Sequence, residues 1–175
     1  YLAGERAKMM RYGIRLIAVG DRSRLPPKVK AALQETIALT AGNQRMTVVL
    51  ALSYSGRDEI VRMAKRLARK ARDRSLEPDD IDEQMVAAHL DSAAVPDPDL
   101  LIRTSGEMRI SNFYLWQIAY SELFVTPTLW PDFRETQYLE ALLAYQRRRR
   151  RFGRTDEQLT SGSISLSAAA DGPQS

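Results

Sequence analysis

The sequence predicts an α/β protein with a mostly parallel central sheet flanked by helices. Short apolar runs with the length of buried strands alternate with longer segments in which apolar residues recur every three or four positions. This alternation is typical of βαβ units, which place helices on both faces of a parallel sheet. The chain has 175 residues, which is enough for one domain with a substantial core.

The first half of the chain contains two predicted helices and two predicted strands. In order, these are a helix over residues 1–12, a strand over 14–19, a helix from Pro27 to the Gly-Asn pair at 42–43, and a strand over 46–52. Gly13 suits the end of the first helix, and Pro27 suits the first turn of the second. Because residues 46–52 are apolar throughout and rich in β-branched side chains, we expect this strand to be central in the sheet.

The second half begins with the strongest helical pattern, in which apolar residues from Ile60 onward recur at i, i+3, i+4 and i+7. A short helix through His89 follows, with a capping box of Asp80 and Glu83. Two further strands are predicted over 100–102 and 122–125, and between them a short helix over 113–119 capped by Ser111 or Asn112. The last predicted element is a long helix from Trp130, which buries Tyr138, Leu139, Leu142 and Leu143. Residues 1–153 are expected to form the domain. Residues 154–175, rich in Ser, Ala and Gly, are expected to form a disordered tail.

Composition limits the classes of function. The absence of cysteine excludes a disulfide framework and thiolate metal sites, and it fits a reducing compartment. No apolar run approaches the roughly 18 residues of a membrane span, and no signal peptide is visible, so we expect a soluble, cytoplasmic protein. The net charge of +4 favours anionic partners, although six of the basic residues lie in the single run 147–154.

The stretch 99–133 carries most of the candidate chemistry. The strand over 100–102 is followed by a glycine-containing loop that carries Arg103, Arg109 and Ser111. A strand end, such a loop and a helix amino end are the parts from which α/β proteins build anion sites. Forked guanidinium groups suit phosphate oxygens, so the pattern favours a phosphate or diphosphate clamp. The alternative is a pair of surface arginines that bridge to Glu107 and Asp99.

Glu122 is a candidate metal ligand. Its carboxylate lies among apolar residues, where a charge needs a cation as partner. Mg²⁺ is commonly held by one or two carboxylates together with substrate phosphates. The alternative partner is one of the nearby arginines, in an ordinary ion pair.

Three polar features have structural interpretations. The acidic run 79–83 lies at a helix start, where acidic residues favour the helix dipole. His89 is the sole histidine, which gives no support to a histidine-based catalytic or metal site. The arginines of 147–154 lack the aromatic interleaving and motifs of nucleic-acid-binding proteins, so we expect a solvated helix end and no nucleic-acid partner.

Six motifs, in order along the chain, give a specific resemblance. They are RLIAVGD at 15–21, AGN at 41–43, YSGR at 54–57, RTSGEMRISNF at 103–113, WQIAYSEL at 116–123 and WPDF at 130–133. With them, residues 1–153 closely resemble the C-terminal two-thirds of the cis-prenyltransferases, also called isoprenyl transferases or undecaprenyl diphosphate synthases.

The resemblance implies an enzyme that condenses isopentenyl diphosphate with an allylic diphosphate such as farnesyl diphosphate and makes cis double bonds. It assigns Arg103, Arg109, Ile110 and Ser111 to the diphosphate of isopentenyl diphosphate, and Glu122 to catalysis through placement of Mg²⁺. It also implies a homodimer in which the motif with Arg151 and Gly153 reaches the neighbouring active site. Met46 resembles a residue lining the tunnel for the growing chain, and the product implies peripheral association with a membrane.

Two departures from the family pattern bear on activity. Residues 53–57 read SYSGR where the family usually has NYGGR, and nothing matches the N-terminal Asp-Gly-Asn-Gly-Arg loop that binds the allylic diphosphate and the metal. The chain also opens with Tyr1 inside an apparent helix, so we expect a fragment of a longer protein. If these residues are the whole polypeptide, we expect it to be inactive, and elongation of farnesyl diphosphate by it would refute this. The alternative function is a non-catalytic subunit that supplies its arginines to a partner chain.

Overall fold

A computed structural model describes residues 2–148, which alternate between strands and helices as the α/β prediction requires. The elements are α1 (Leu2–Tyr12), β1 (Ile14–Val19), α2 (Pro27–Thr40), β2 (Met46–Ala51), α3 (Gly56–Arg72), α4 (Glu83–Ala88), β3 (Leu100–Arg103), β4 (Glu122–Val125) and α5 (Glu135–Arg147). Residues 2–101 and 108–121 form one compact unit, and 102–107 with 122–148 form a second.

The first unit is built on the parallel pair β1 and β2, which run in register from Ile14 opposite Met46 to Val19 opposite Ala51. The helix α2 packs on β1, where Leu16 and Leu33 are both buried, and the Leu16 N–H donates to the Thr40 hydroxyl at 3.0 Å. Between residues 2 and 148, β2 is hydrogen-bonded to β1 alone. The prediction that β2 is central in the sheet is therefore wrong for the described chain.

A second apolar cluster of this unit lies under α3. Met63 and Leu67 of α3 are buried together with Leu90, and residues of α4 pack around them. The helical periodicity from Ile60 onward thus identified Met63 and Leu67 of the buried face, whereas Ala64 and Ala68, which belong to the same pattern, are exposed. The amino end of α4 differs from the prediction, because the Asp82 side chain accepts the Met85 N–H there, and Asp80 ends a short 3₁₀ turn.

The second unit contains the last two residues of β3, the strand β4 and the helix α5, and β4 is hydrogen-bonded to β3. Predicted as one helix from Trp130, this region forms a 3₁₀ turn over Trp130–Asp132 and then α5 from Glu135. Ala141 is its buried residue, whereas three apolar side chains predicted to be buried are about half exposed: Tyr138, Leu139 and Leu143. Residues 2–148 therefore cover the apolar stripe of α5 only in part.

No helix in the described part of the chain combines the length and the apolarity that a membrane crossing needs.

Candidate functional site

The loop after β3 is tied down by its backbone. The carbonyl of Arg103 accepts the Thr126 N–H at 2.9 Å, and the N–H groups of Ser105 and Gly106 donate to carbonyls of residues 128 and 126. Ser105 and Gly106 both have φ of +67°, so the chain turns sharply where the strand ends. These hydrogen bonds therefore fix the backbone of Arg103 and of the loop that follows it.

The Arg103 guanidinium lies 3.7 Å from the Glu107 carboxylate, and each side chain is about one-third exposed. Such a partly exposed pair is weak, typically worth about 0–1 kcal/mol. An incoming diphosphate, which carries more charge than one carboxylate, can compete with Glu107 for this arginine. The bridge to Glu107 that the sequence left open as an alternative thus exists, and it is compatible with a clamp.

Glu122, at the start of β4, accepts from Arg148 Nη1 at 2.6 Å. This is the ion pair that the sequence left open as an alternative to a metal. Among residues 2–148, no three His, Asp or Glu side chains are grouped in a way that could hold a metal ion. The donor set therefore fits Mg²⁺ only as a single carboxylate that completes a shell of ligand phosphate oxygens and water.

The segment 109–117, in the first unit, carries the other predicted contacts. Arg109, Ile110 and Ser111 are all exposed. The short helix predicted over 113–119 is absent, and turns take its place. Ser111, Asn112 and Tyr114 adopt left-handed backbone angles, with φ of +55°, +61° and +46°. A helix cap needs an extended backbone, so neither Ser111 nor Asn112 caps a helix at this point.

This left-handed backbone is costly, at about 1–2 kcal/mol for each residue. Contacts with α3 offset that cost. The carbonyl of Asn112 accepts the Gly56 N–H at 2.8 Å, its Oδ1 accepts the Arg57 N–H at 2.9 Å, and its amide donates to Ser55 Oγ at 2.8 Å. Asn112 therefore caps the amino end of α3, a helix more than fifty residues earlier in the chain.

Three aromatic rings, two of them from this segment, pack together. Phe113 and Tyr114 are stacked with their centroids 4.6 Å apart. The Tyr54 ring meets both edge-on, at 5.7 and 5.2 Å. These ring contacts tie residues 113 and 114 to Tyr54, which follows β2 in the chain.

A buried carboxylate that the sequence analysis missed completes the arrangement. Glu59 of α3 is 1% exposed and accepts three hydrogen bonds: from the Tyr54 hydroxyl at 2.5 Å, from the Asp91 N–H at 2.8 Å and from Gln117 Nε2 at 3.0 Å. The signal was available, because Glu59 lies one turn before Met63 on the apolar stripe of α3.

Burial raises the pKa of the Tyr54 hydroxyl well above its usual range, and the neighbouring Glu59 carboxylate raises it further. Burial also raises the pKa of Tyr114, to which the charges of Glu59 and Asp91 add. Both phenols stay protonated at neutral pH, so Tyr54 remains a hydrogen-bond donor to Glu59.

The structure places the predicted site residues in two groups. Arg103 and Glu122 lie in the second unit, and Arg109, Ile110 and Ser111 lie together in the first. Arg151 and Gly153 lie outside the described residues. Met46 is 57% exposed on β2.

Comparison with known proteins gives one consistent result. A family model for undecaprenyl diphosphate synthases, Prenyltransf, matches residues 1–153. The isoprenyl transferases of Porphyromonas gingivalis and Chlorobaculum tepidum are 53% and 47% identical over 90% and 93% of this chain. The chain spans 62% of the length of each of these relatives.

The fold agrees with a solved relative. A crystal structure of lavandulyl diphosphate synthase from Lavandula x intermedia in complex with dimethylallyl diphosphate superposes with a TM-score of 0.84 and 40% identity, covering 87% of this chain and 66% of that one. This similarity confirms the predicted α/β fold class. Because the family model covers residues 1–153 of the 175, the chain belongs to the undecaprenyl diphosphate synthase family of isoprenyl transferases.

Proposed function

We propose that this chain takes part in prenyl transfer, in which isopentenyl diphosphate condenses with an allylic diphosphate, farnesyl diphosphate, to give a cis-polyprenyl diphosphate. The observation that carries the proposal is the exposed segment with Arg109, Ile110 and Ser111, held in a strained shape directly against α3. Strain of this kind persists where surrounding contacts fix it, and it is concentrated at ligand sites. Membership of the isoprenyl transferase family supplies the reaction class.

The proposed roles follow from the chemistry of each side chain. Arg103 and Arg109 offer forked N–H donors to the diphosphate of isopentenyl diphosphate, and the Ser111 hydroxyl donates to a further oxygen. In the reaction a carbon–carbon bond forms at the allylic carbon as its diphosphate leaves, and the isopentenyl unit loses a proton. Mg²⁺, when bound, neutralises charge on the diphosphates, and Glu122 is the carboxylate of this chain that would hold it.

The assembly and location are proposals as well. A homodimer would let Arg151 and Gly153 serve the neighbouring site. A cytoplasmic protein with a long-chain polyprenyl product would associate with the membrane surface through that product. A non-catalytic subunit would keep the isopentenyl diphosphate site but need a second chain to ionise the allylic substrate.

The test begins with binding. Calorimetric titration of the purified protein with isopentenyl diphosphate, with and without Mg²⁺, should give saturable binding that Arg109→Ala weakens by roughly 10- to 100-fold, the effect of losing a charged hydrogen-bond pair. Arg103→Ala should act similarly. Arg72→Ala is the matched control, because Arg72 is an exposed arginine at the far end of α3 that pairs with Asp73.

Retained affinity in the Arg109→Ala protein would overturn the clamp. Turnover is tested separately by supplying labelled isopentenyl diphosphate with farnesyl diphosphate. Elongation supports the enzyme, whereas tight binding without elongation until a partner chain is added supports the non-catalytic subunit.

A further inference from the structure

We propose that Glu59 and Gln117 act as a pair of positioning residues that hold the segment 109–117 in the shape that binds diphosphate. The inference rests on the proposed function, because it assigns these residues to the same isopentenyl diphosphate site. Both side chains are buried, whereas Arg109 and Ser111 are exposed. They act through the backbone of the segment.

The Glu59 carboxylate is buried with hydrogen-bond donors and without an ion-pair partner among residues 2–148. A charge in this setting is less favourable for folding alone than an apolar side chain of similar volume, and Glu59 occupies the apolar stripe of α3. The carboxylate does what an apolar group cannot do, since it joins α3 to two distant stretches. Its Oε1 takes the Asp91 N–H, and its Oε2 takes the Gln117 amide.

Gln117 is the matching half of the pair. It is 4% exposed, and its Nε2 donates to Glu59 at 3.0 Å and to Ser92 Oγ at 2.6 Å. Its own Oε1 is buried and accepts no hydrogen bond from the described residues. The amide is thus oriented for its donors although its acceptor stays unsatisfied, which indicates that the contacts with Glu59 and Ser92 together set its orientation.

The pair closes one end of a two-point attachment. Asn112 fixes the segment to residues 55–57 of α3, and Gln117 fixes it to Glu59, one helical turn further on. Of the left-handed residues, Tyr114 lies between the two attachments, Asn112 is the first attachment, and Ser111 directly precedes it. If the Gln117 end is released, the backbone between 113 and 117 can relax toward ordinary angles. The Asn112 attachment then has to hold the left-handed turn alone, so the neighbouring Ser111 is held less firmly.

One oxygen of Glu59 also orients the three packed aromatic rings. Glu59 Oε2 accepts from both Tyr54 and Gln117, and the Tyr54 ring supports Phe113 and Tyr114. A Glu59→Gln change keeps the volume but supplies a single acceptor oxygen and an unwanted N–H. Glutamine can serve either Asp91 or the Tyr54 and Gln117 side, but not both.

The experiment is a double-mutant cycle with two readouts. Glu59→Gln and Gln117→Glu are made singly and together, and isopentenyl diphosphate affinity is measured by calorimetry. Emission of Trp116, next to Gln117, is measured in a Trp130→Phe background, because the chain has two tryptophans. Glu35→Gln is the control, since Glu35 is a largely exposed carboxylate paired with Arg6.

We expect Glu59→Gln to weaken affinity at least 10-fold and to shift Trp116 emission. Gln117→Glu places two carboxylates together and should be at least as harmful. The double variant restores one carboxylate and one amide with their places exchanged, so it should bind within about 3-fold of the parent and regain its emission. Glu35→Gln should change neither readout.

Wild-type affinity in Glu59→Gln, or a double variant no better than the worse single variant, overturns the inference. A folding failure in a single variant that the exchange does not rescue counts equally against it. If the parent protein itself fails to bind isopentenyl diphosphate, the proposed function is wrong, whereas the emission cycle still reports whether the pair orders the segment.

Discussion

At the scale of single residues, the Tyr54 hydroxyl is the most revealing group. It donates to a buried carboxylate, its ring supports two further aromatic rings, and its pKa lies above the usual range. An unfolded tyrosine loses its proton near pH 10. Above that pH the unfolded chain therefore binds fewer protons than the folded protein, and stability declines as pH rises.

Tyr54→Phe should make this alkaline decline shallower. The variant keeps the ring but removes the titrating hydroxyl, and it should be about 1–2 kcal/mol less stable at neutral pH because a hydrogen bond to a carboxylate is lost. Urea unfolding between about pH 8 and pH 11 measures both effects. Tyr120→Phe is the control, because Tyr120 is 89% exposed. Equal pH slopes in the two variants would show that Tyr54 titrates as an ordinary tyrosine.

At the scale of elements, the amino end of α3 organises the first unit. Its N-cap Ser55, the N–H groups of Gly56 and Arg57, and the Glu59 carboxylate all bind residues from elsewhere in the chain. Gly56 is needed there for space: a Cβ would lie 2.8 Å from Leu115 Cγ and 3.1 Å from the Asn112 carbonyl oxygen. The segment 109–117 packs where that methyl group would be.

Gly56→Ala should therefore destabilise the protein by about 1–3 kcal/mol, the usual cost of overpacking, and weaken isopentenyl diphosphate binding. Alanine is the better helix former, so the loss can come only from the displaced segment. Gly4→Ala in α1 is the control, because a Cβ there meets nothing within 4 Å and should slightly stabilise the helix. Urea unfolding with calorimetry measures the pair, and equal stability of both variants would contradict the close approach.

Local pattern explains which elements could be predicted from the sequence. The strands β1 and β2 follow from apolar runs, and their bounds agree with the prediction within one residue. The helix α3 contains the periodic apolar residues predicted from Ile60 onward. The segment after Arg109 could not be predicted in this way. Asn112 and Gln117 find their partners 55 to 58 residues away on α3, and these contacts override the local helical signal. Arg103 and Arg109 were recognised as candidates because charged side chains at a strand end are visible in the sequence.

At the scale of the whole molecule, the chain shares its fold with the isoprenyl transferases but spans 62% of their length. Within the second unit, α5 exposes Tyr138, Leu139 and Leu143, each near half exposure. The sequence predicted them to lie on the buried side of the helix. If the protein forms the proposed homodimer, a second copy of the chain would cover this face.

Leu143→Lys should convert such a dimer to a monomer, because a charge would be buried among apolar groups at the interface. Sedimentation velocity at several concentrations measures the change in mass. Gln146→Lys makes the same change in net charge on an exposed residue of α5 and should leave the dimer intact. A Leu143→Lys protein that stays dimeric places the interface on another surface.

Bound ligand should in turn affect the attachment of Asn112 to α3. Coupling between a ligand and a contact is reciprocal: if the contact raises affinity, the ligand strengthens the contact by the same factor. Diphosphate held by the segment should therefore slow hydrogen exchange at the amides of Gly56 and Arg57, which donate to Asn112. Two backbone amides at the start of a helix would then report the occupancy of a site that they do not touch.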